Sequence, residues 1–88
     1  MKIDLEIINE KGLHARASAK FVETVEAYDA DCLVSKDGME VGGDSIMGLM
    51  MLAASKGCSI GVETSGTQAA ELAEAISLLV GDYFGEGK

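Results

Sequence analysis

An 88-residue chain that is 48% apolar and 25% charged supports one small globular domain spanning 1–88 and argues against disorder. Its formal net charge of −8, from 15 acidic and 7 basic side chains, argues against nucleic-acid binding, which needs Lys and Arg to neutralise phosphates, and against a bare anionic membrane. No apolar run approaches the roughly 18 residues of a membrane span. Met1-Lys2-Ile3-Asp4 alternates rather than forming a charged-then-apolar leader, so a soluble cytoplasmic protein without membrane insertion is expected.

From Lys2 to Ile8 the chain alternates, with Ile3, Leu5 and Ile7 on one face and Lys2, Asp4 and Glu6 on the other, which predicts a half-buried strand. After the polar loop Asn9-Glu10-Lys11-Gly12, residues Ala15 to Ala27 predict a helix with Ala15, Ser18, Ala19, Val22 and Val25 along its apolar stripe. Asp31 to Ser35 reads as a second strand, Lys36-Asp37-Gly38-Met39 as a hairpin turn and Met39 to Val41 as a short third strand. Gly42-Gly43 breaks the pattern. Asp44 and Ser45 then offer caps for a short helix from Ile46 to about Ala54, ended by Lys56 and Gly57. Cys58, Ile60 and Val62 alternate with Ser59, Gly61 and Glu63 as a fourth strand.

Ser65-Gly66-Thr67-Gln68 starts the last helix, whose Ala69, Leu72, Ile76, Leu79, Val80 and Tyr83 follow helical spacing; the tail Gly85-Glu86-Gly87-Lys88 is expected to fray. The order β-α-β-β-α-β-α, with three helices apolar on one side, predicts an α+β fold: an open-faced two-layer sandwich of one four-stranded sheet with the helices on one face. Periodicity alone leaves the strand order open. Cys32 and Cys58 are expected as reduced, buried structural thiols. One histidine and no close cysteine pair argue against a metal site, and no cofactor is expected.

His14 is the only histidine, and it falls at the start of the first helix. Helix caps are normally Ser, Thr, Asp or Asn, so a histidine there is a poor choice for stability. The first amides of a helix have no partner inside it, and the macrodipole adds partial positive charge, which together make an anion site. Such a site favours a neutral, nucleophilic imidazole over its cation and then favours a phosphoryl dianion attached to it. Arg16 can add a charge-assisted hydrogen bond to that group.

Gly12-Leu13-His14-Ala15-Arg16 closely resembles the active-site signature of the histidine-containing phosphocarrier (HPr) family of the bacterial phosphotransferase system. The resemblance covers the whole chain, including the element order and the segment Ser45-Ile46-Met47-Gly48. It implies an antiparallel sheet of order 1-4-2-3. It also implies a phosphocarrier, not an independent enzyme, in which enzyme I, charged by phosphoenolpyruvate, phosphorylates His14 on Nδ1 and a IIA-type protein takes the group onward. Arg16 and the backbone N–H groups of Ala15 and Ala17 are then expected to hold the phosphate. The family usually has proline where this chain has Ala17, which restores a donor that could reach the imidazole or its phosphate.

In the branch that carries Ser45, the resemblance implies its phosphorylation by an HPr kinase/phosphorylase. From the residues alone, Ser45 is a helix cap, and a phosphate there would act on recognition rather than unfold anything. The short helix has no polar face, so Met47 with Met50 or Met51 is expected to face solvent as an adaptable docking patch, with Gly48 allowing close approach. Lys20 completes the expected partner-binding set. Well-known family members carry lysines where this chain has Glu23, Glu26 and Asp44, so a matched, more basic enzyme I is expected. The expected state is a monomer. Two other readings stand beside the carrier: a regulatory module that phosphorylation only switches, and a small enzyme with His14 as general base, which would need a pocket and a second catalytic group.

Overall fold

The computed structural model describes residues 1–88. Its elements run β1 (Lys2–Glu6), α1 (Ala15–Glu26), β2 (Asp31–Lys36), β3 (Met39–Gly42), α2 (Ile46–Met51), β4 (Ser59–Ser65) and α3 (Ala69–Gly81), followed by a 3₁₀ turn over Tyr83–Gly85. The sheet order is β1-β4-β2-β3 with every neighbour antiparallel. The expected open-faced sandwich of order 1-4-2-3 is therefore the fold observed. No helix is long and apolar enough to cross a membrane.

The register explains why alternation could be read so directly. Ile3 faces Val62, Val62 faces Val34 and Val34 faces Val41, so one row of β-branched side chains crosses all four strands. Cross-strand pairs of this kind stabilise a sheet by roughly 0.2–1 kcal/mol each. The two central residues of the row, Val34 and Val62, are fully buried beneath the helices.

Helix boundaries and faces differ from the sequence pattern in four places. The buried face of α1 is Ala17, Ser18, Phe21, Val22 and Val25, rotated from the expected stripe so that Ala15 is exposed. Phe21, the bulkiest side chain on that helix, turns its own face into the core. Next, α2 stops at Met51, and Ala53 takes a positive φ of 52° in the turn that follows. Ser65 belongs to β4, and α3 starts at Ala69 without a side-chain cap. Cys32 is buried, but Cys58 is only half-buried and lies just ahead of β4 rather than in it; both are free thiols.

The fourth difference is the tail, which is docked rather than frayed. Tyr83 and Phe84 adopt left-handed φ values of 56° and 54°, a conformation that costs an L residue on the order of 1–2 kcal/mol. Phe84 is fully buried in the core, which returns about 1.5–3 kcal/mol and holds the turn in place. Tyr83, expected on the apolar face of the last helix, faces solvent instead. The turn points the last residues back toward the start of α1.

Candidate functional site

The loop before α1 is shaped by Gly12. Its φ is +65°, and a Cβ there would lie 2.3 Å from the Ala54 carbonyl oxygen and 2.9 Å from the Ser55 Cα. Only glycine satisfies both conditions. The Leu13 N–H donates to the Ala54 carbonyl at 2.9 Å, so the loop is stitched to the segment that follows α2. With Leu13 buried, the next residue is pushed out to the surface as the N-cap of α1.

That cap is His14, with extended backbone (φ −77°, ψ −176°) and a side chain about one-quarter exposed (26%). Its Nδ1 accepts the Arg16 N–H at 3.3 Å, a long bond but the one that fills the usual role of a capping oxygen. Ser18 N–H donates to the His14 carbonyl at 2.9 Å and begins the helical ladder. The amide at the cap is that of Arg16, not Ala17, and Ala17 itself is fully buried. Ala15 and Arg16 are exposed beside the ring.

The other ring nitrogen reaches across the chain. Nε2 of His14 lies 2.5 Å from Oε2 of Glu86, and Glu86 Oε1 accepts from Asn9 Nδ2 at 3.1 Å. The same Asn9 amide donates to the Gly12 carbonyl at 2.9 Å. Lys20 Nζ donates to the Phe84 carbonyl at 2.6 Å, clamping the tail. Burial raises the pKa of Glu86, but hydrogen bonds from Asn9 and His14 and the nearby charges of His14 and Lys20 outweigh it and hold the carboxyl below the usual range. Asn9, Phe84 and Glu86 were absent from the sequence-based site. The one signal for them was a large aromatic, Phe84, set in an otherwise glycine-rich tail.

Beside this dyad is a cleft of about 250 Å³ with no apolar lining residue, bounded by Glu10, Lys11, Arg16, Lys20, Gly85, Glu86 and Lys88. Four of the chain's 7 cationic side chains line it, so the positive charge of an acidic protein is gathered beside the histidine.

Ser45 is the exposed N-cap of α2, and its Oγ accepts the Gly48 N–H at 3.0 Å. On the short helix Met47 and Met51 are about three-quarters and two-thirds exposed, Met50 and Ile46 less so, and Leu49 anchors the helix in the core. Met47 thus faces solvent together with both Met50 and Met51, where only one of the latter two was expected to. Gly48 is half-buried, and a Cβ there would press on Ser45 and Val41 at 3.1 Å, so it serves the packing of α2 against its own cap and β3.

Fold and site together define a class: an open-faced sandwich in which one imidazole caps the first helix. The family model described as "PTS HPr component phosphorylation site" matches residues 1–82. The chain is 50% identical over 88 residues to the phosphocarrier protein HPr of Neisseria meningitidis, covering 100% of this chain and 99% of that one. It is 37% identical over 87 residues to the phosphocarrier protein NPr of Escherichia coli, covering 98% and 97% of the two chains. The crystal structure of HPr-C-His from Thermoanaerobacter tengcongensis superposes with a TM-score of 0.93 at 36% identity, covering 98% of this chain and 97% of that chain. The chain belongs to the HPr family of phosphocarrier proteins of the phosphotransferase system.

Proposed function

We propose that this phosphocarrier receives its phosphoryl group on Nδ1 of His14 from enzyme I, charged by phosphoenolpyruvate, and passes it to a IIA-type protein. The observation that carries the reading is the capping geometry: Nδ1 faces the first amides of α1, with Arg16 N–H at 3.3 Å. A phosphoryl group on that nitrogen extends the ring toward donors that have no partner inside the helix. In the step itself the Nδ1 lone pair forms the new N–P bond as the donor's bond to phosphorus breaks, its electron pair returning to the donor. The Arg16 guanidinium, the Arg16 N–H and the neighbouring Ala15 N–H neutralise the transferred dianion, and the partner completes the site, since this reaction needs mainly positioning and electrostatics.

The exposed face of α2 is the docking surface in this reading, with Met47, Met50 and Met51 adapting to two partners in turn. Ser45 is a regulatory site for an HPr kinase/phosphorylase, its phosphate adding about two negative charges beside that patch. The protein acts as a cytoplasmic monomer in either a sugar-importing or a nitrogen-linked system.

Incubation with enzyme I and labelled phosphoenolpyruvate tests the assignment. Label that is acid-labile, alkali-stable and absent from His14→Ala is the expected result, with transfer onward to a IIA protein. A protein that accepts label but transfers none is a phosphorylation-switched module instead, and one that accepts none is not a carrier through His14.

A further inference from the structure

We propose that Glu86 is a positioning residue for phosphoryl transfer, fixing the His14 tautomer that leaves Nδ1 nucleophilic and facing the charge that develops on the ring. This inference rests on His14 as the phosphoryl acceptor. A neutral imidazole has one N–H and one lone pair, and the hydrogen bond at one nitrogen decides which the other carries. An ionised carboxylate only accepts, so Glu86 Oε2, 2.5 Å from Nε2, requires the proton to be on Nε2. On the other side of the ring the Arg16 N–H, 3.3 Å from Nδ1, requires a lone pair there. Two bonds from different parts of the chain thus specify one tautomer.

The carboxylate is itself held. Asn9, fully buried, donates to Glu86 Oε1 and to the Gly12 carbonyl through one amide, linking the tail to the loop that presents the histidine. Phe84 and the Lys20 bond to its carbonyl fix the turn two residues earlier. During transfer the Nδ1 lone pair becomes the N–P bond while the Nε2 proton stays on the ring, so positive charge grows on the imidazole directly opposite Glu86. The ring is therefore set between helix amides on the side that receives phosphate and a carboxylate on the side that carries the resulting charge.

Ring ¹⁵N shifts report the tautomer in the unphosphorylated protein, independently of any transfer. The expected result is an Nε2–H tautomer in the wild type that loses its dominance in Glu86→Ala. Glu86→Gln, which can still accept from Nε2–H, restores the tautomer but not the rate. With enzyme I, Glu86→Ala lowers kcat roughly ten-fold with KM for the carrier unchanged, and Asn9→Ala falls between. A variant that merely disturbs docking would raise KM instead. A wild-type ring protonated on Nδ1, or Glu86→Ala with wild-type tautomer and kcat, overturns the proposal. Failure of the wild type to accept label anywhere rejects the carrier assignment itself, and is recognisable because the tautomer measurement does not depend on it.

Discussion

Gly12→Ala is the sharpest test of how the histidine is presented, because the glycine answers two separate demands. The first is conformational: at φ +65° an alanine costs on the order of 1–2 kcal/mol. The second is steric, since the new Cβ would lie 2.3 Å from the Ala54 carbonyl oxygen, and both walls of the contact are backbone. Relief requires the loop to move off the segment after α2, which breaks the 2.9 Å Leu13–Ala54 bond, worth about 1 kcal/mol. The sum is about 2–3 kcal/mol, against about 4–13 kcal/mol for the whole domain at its size. The variant stays folded but loses a large share of its stability. Gly38→Ala is the control: its φ is +82°, yet a Cβ there meets nothing within 4 Å, so only the conformational cost applies. Urea unfolding of both proteins is therefore expected to place Gly12→Ala at least about 1 kcal/mol below Gly38→Ala, with slower phosphoryl acceptance only in the former. Equal midpoints for the two would refute the close-approach argument.

Three other outcomes follow from named contacts. Burial, reinforced by the Asp44 charge, pushes the Cys32 thiol up to about 11, whereas hydrogen bonds from Ser55 and the Lys36 charge lower that of Cys58, so iodoacetamide at mildly alkaline pH should modify Cys58 and spare Cys32 until unfolding; equal rates would contradict this. Ser45→Ala removes the 3.0 Å bond to the Gly48 N–H and should cost about 1 kcal/mol in urea, while Ser45→Asp keeps the cap, stays within about 0.5 kcal/mol of wild type and slows acceptance from enzyme I. Because the Glu86 carboxyl titrates lower folded than unfolded, its contribution is present above the ordinary glutamate range and lost on acidification through its folded value. The stability gap between wild type and Glu86→Gln should thus narrow as the pH falls below the ordinary glutamate range, as read by urea midpoints.

How much of this was legible in the sequence depended on the range of the forces involved. Strands were read from alternation because one face of the sheet is covered, which forces a period of two, as in the Ile3–Val62–Val34–Val41 row. His14 and Ser45 were legible as caps because capping is local: the donors lie two and three residues on. The face of α1 was misplaced because alanines and serine at 15–19 carry no weight in a pattern, and Phe21 decided the rotation only once the core had formed around it. Asn9 and Glu86 stayed invisible for a different reason. They are far apart along the chain, neither lies in a periodic segment, and a glycine-rich tail gives no sign that two left-handed residues will fold it back.

The same contrast bears on how recognition and chemistry divide between elements. Around His14 the neighbours are polar: amides, Arg16, a carboxylate and a cleft of lysines, which can balance a dianion but bury little apolar area. The exposed methionines of α2 offer apolar area but no group that could touch phosphorus. A carrier that works as proposed, with two successive partners, needs both, and it needs them in fixed relation, since a displacement of about 1 Å at the reacting atom is enough to slow transfer severely. The Gly12 contact with Ala54 and Ser55, and the Leu13 bond beside it, supply that relation by joining the histidine loop to the turn that ends α2. If the methionines are the docking surface proposed above, a partner seated on them is registered against the imidazole by backbone contacts rather than by flexible side chains.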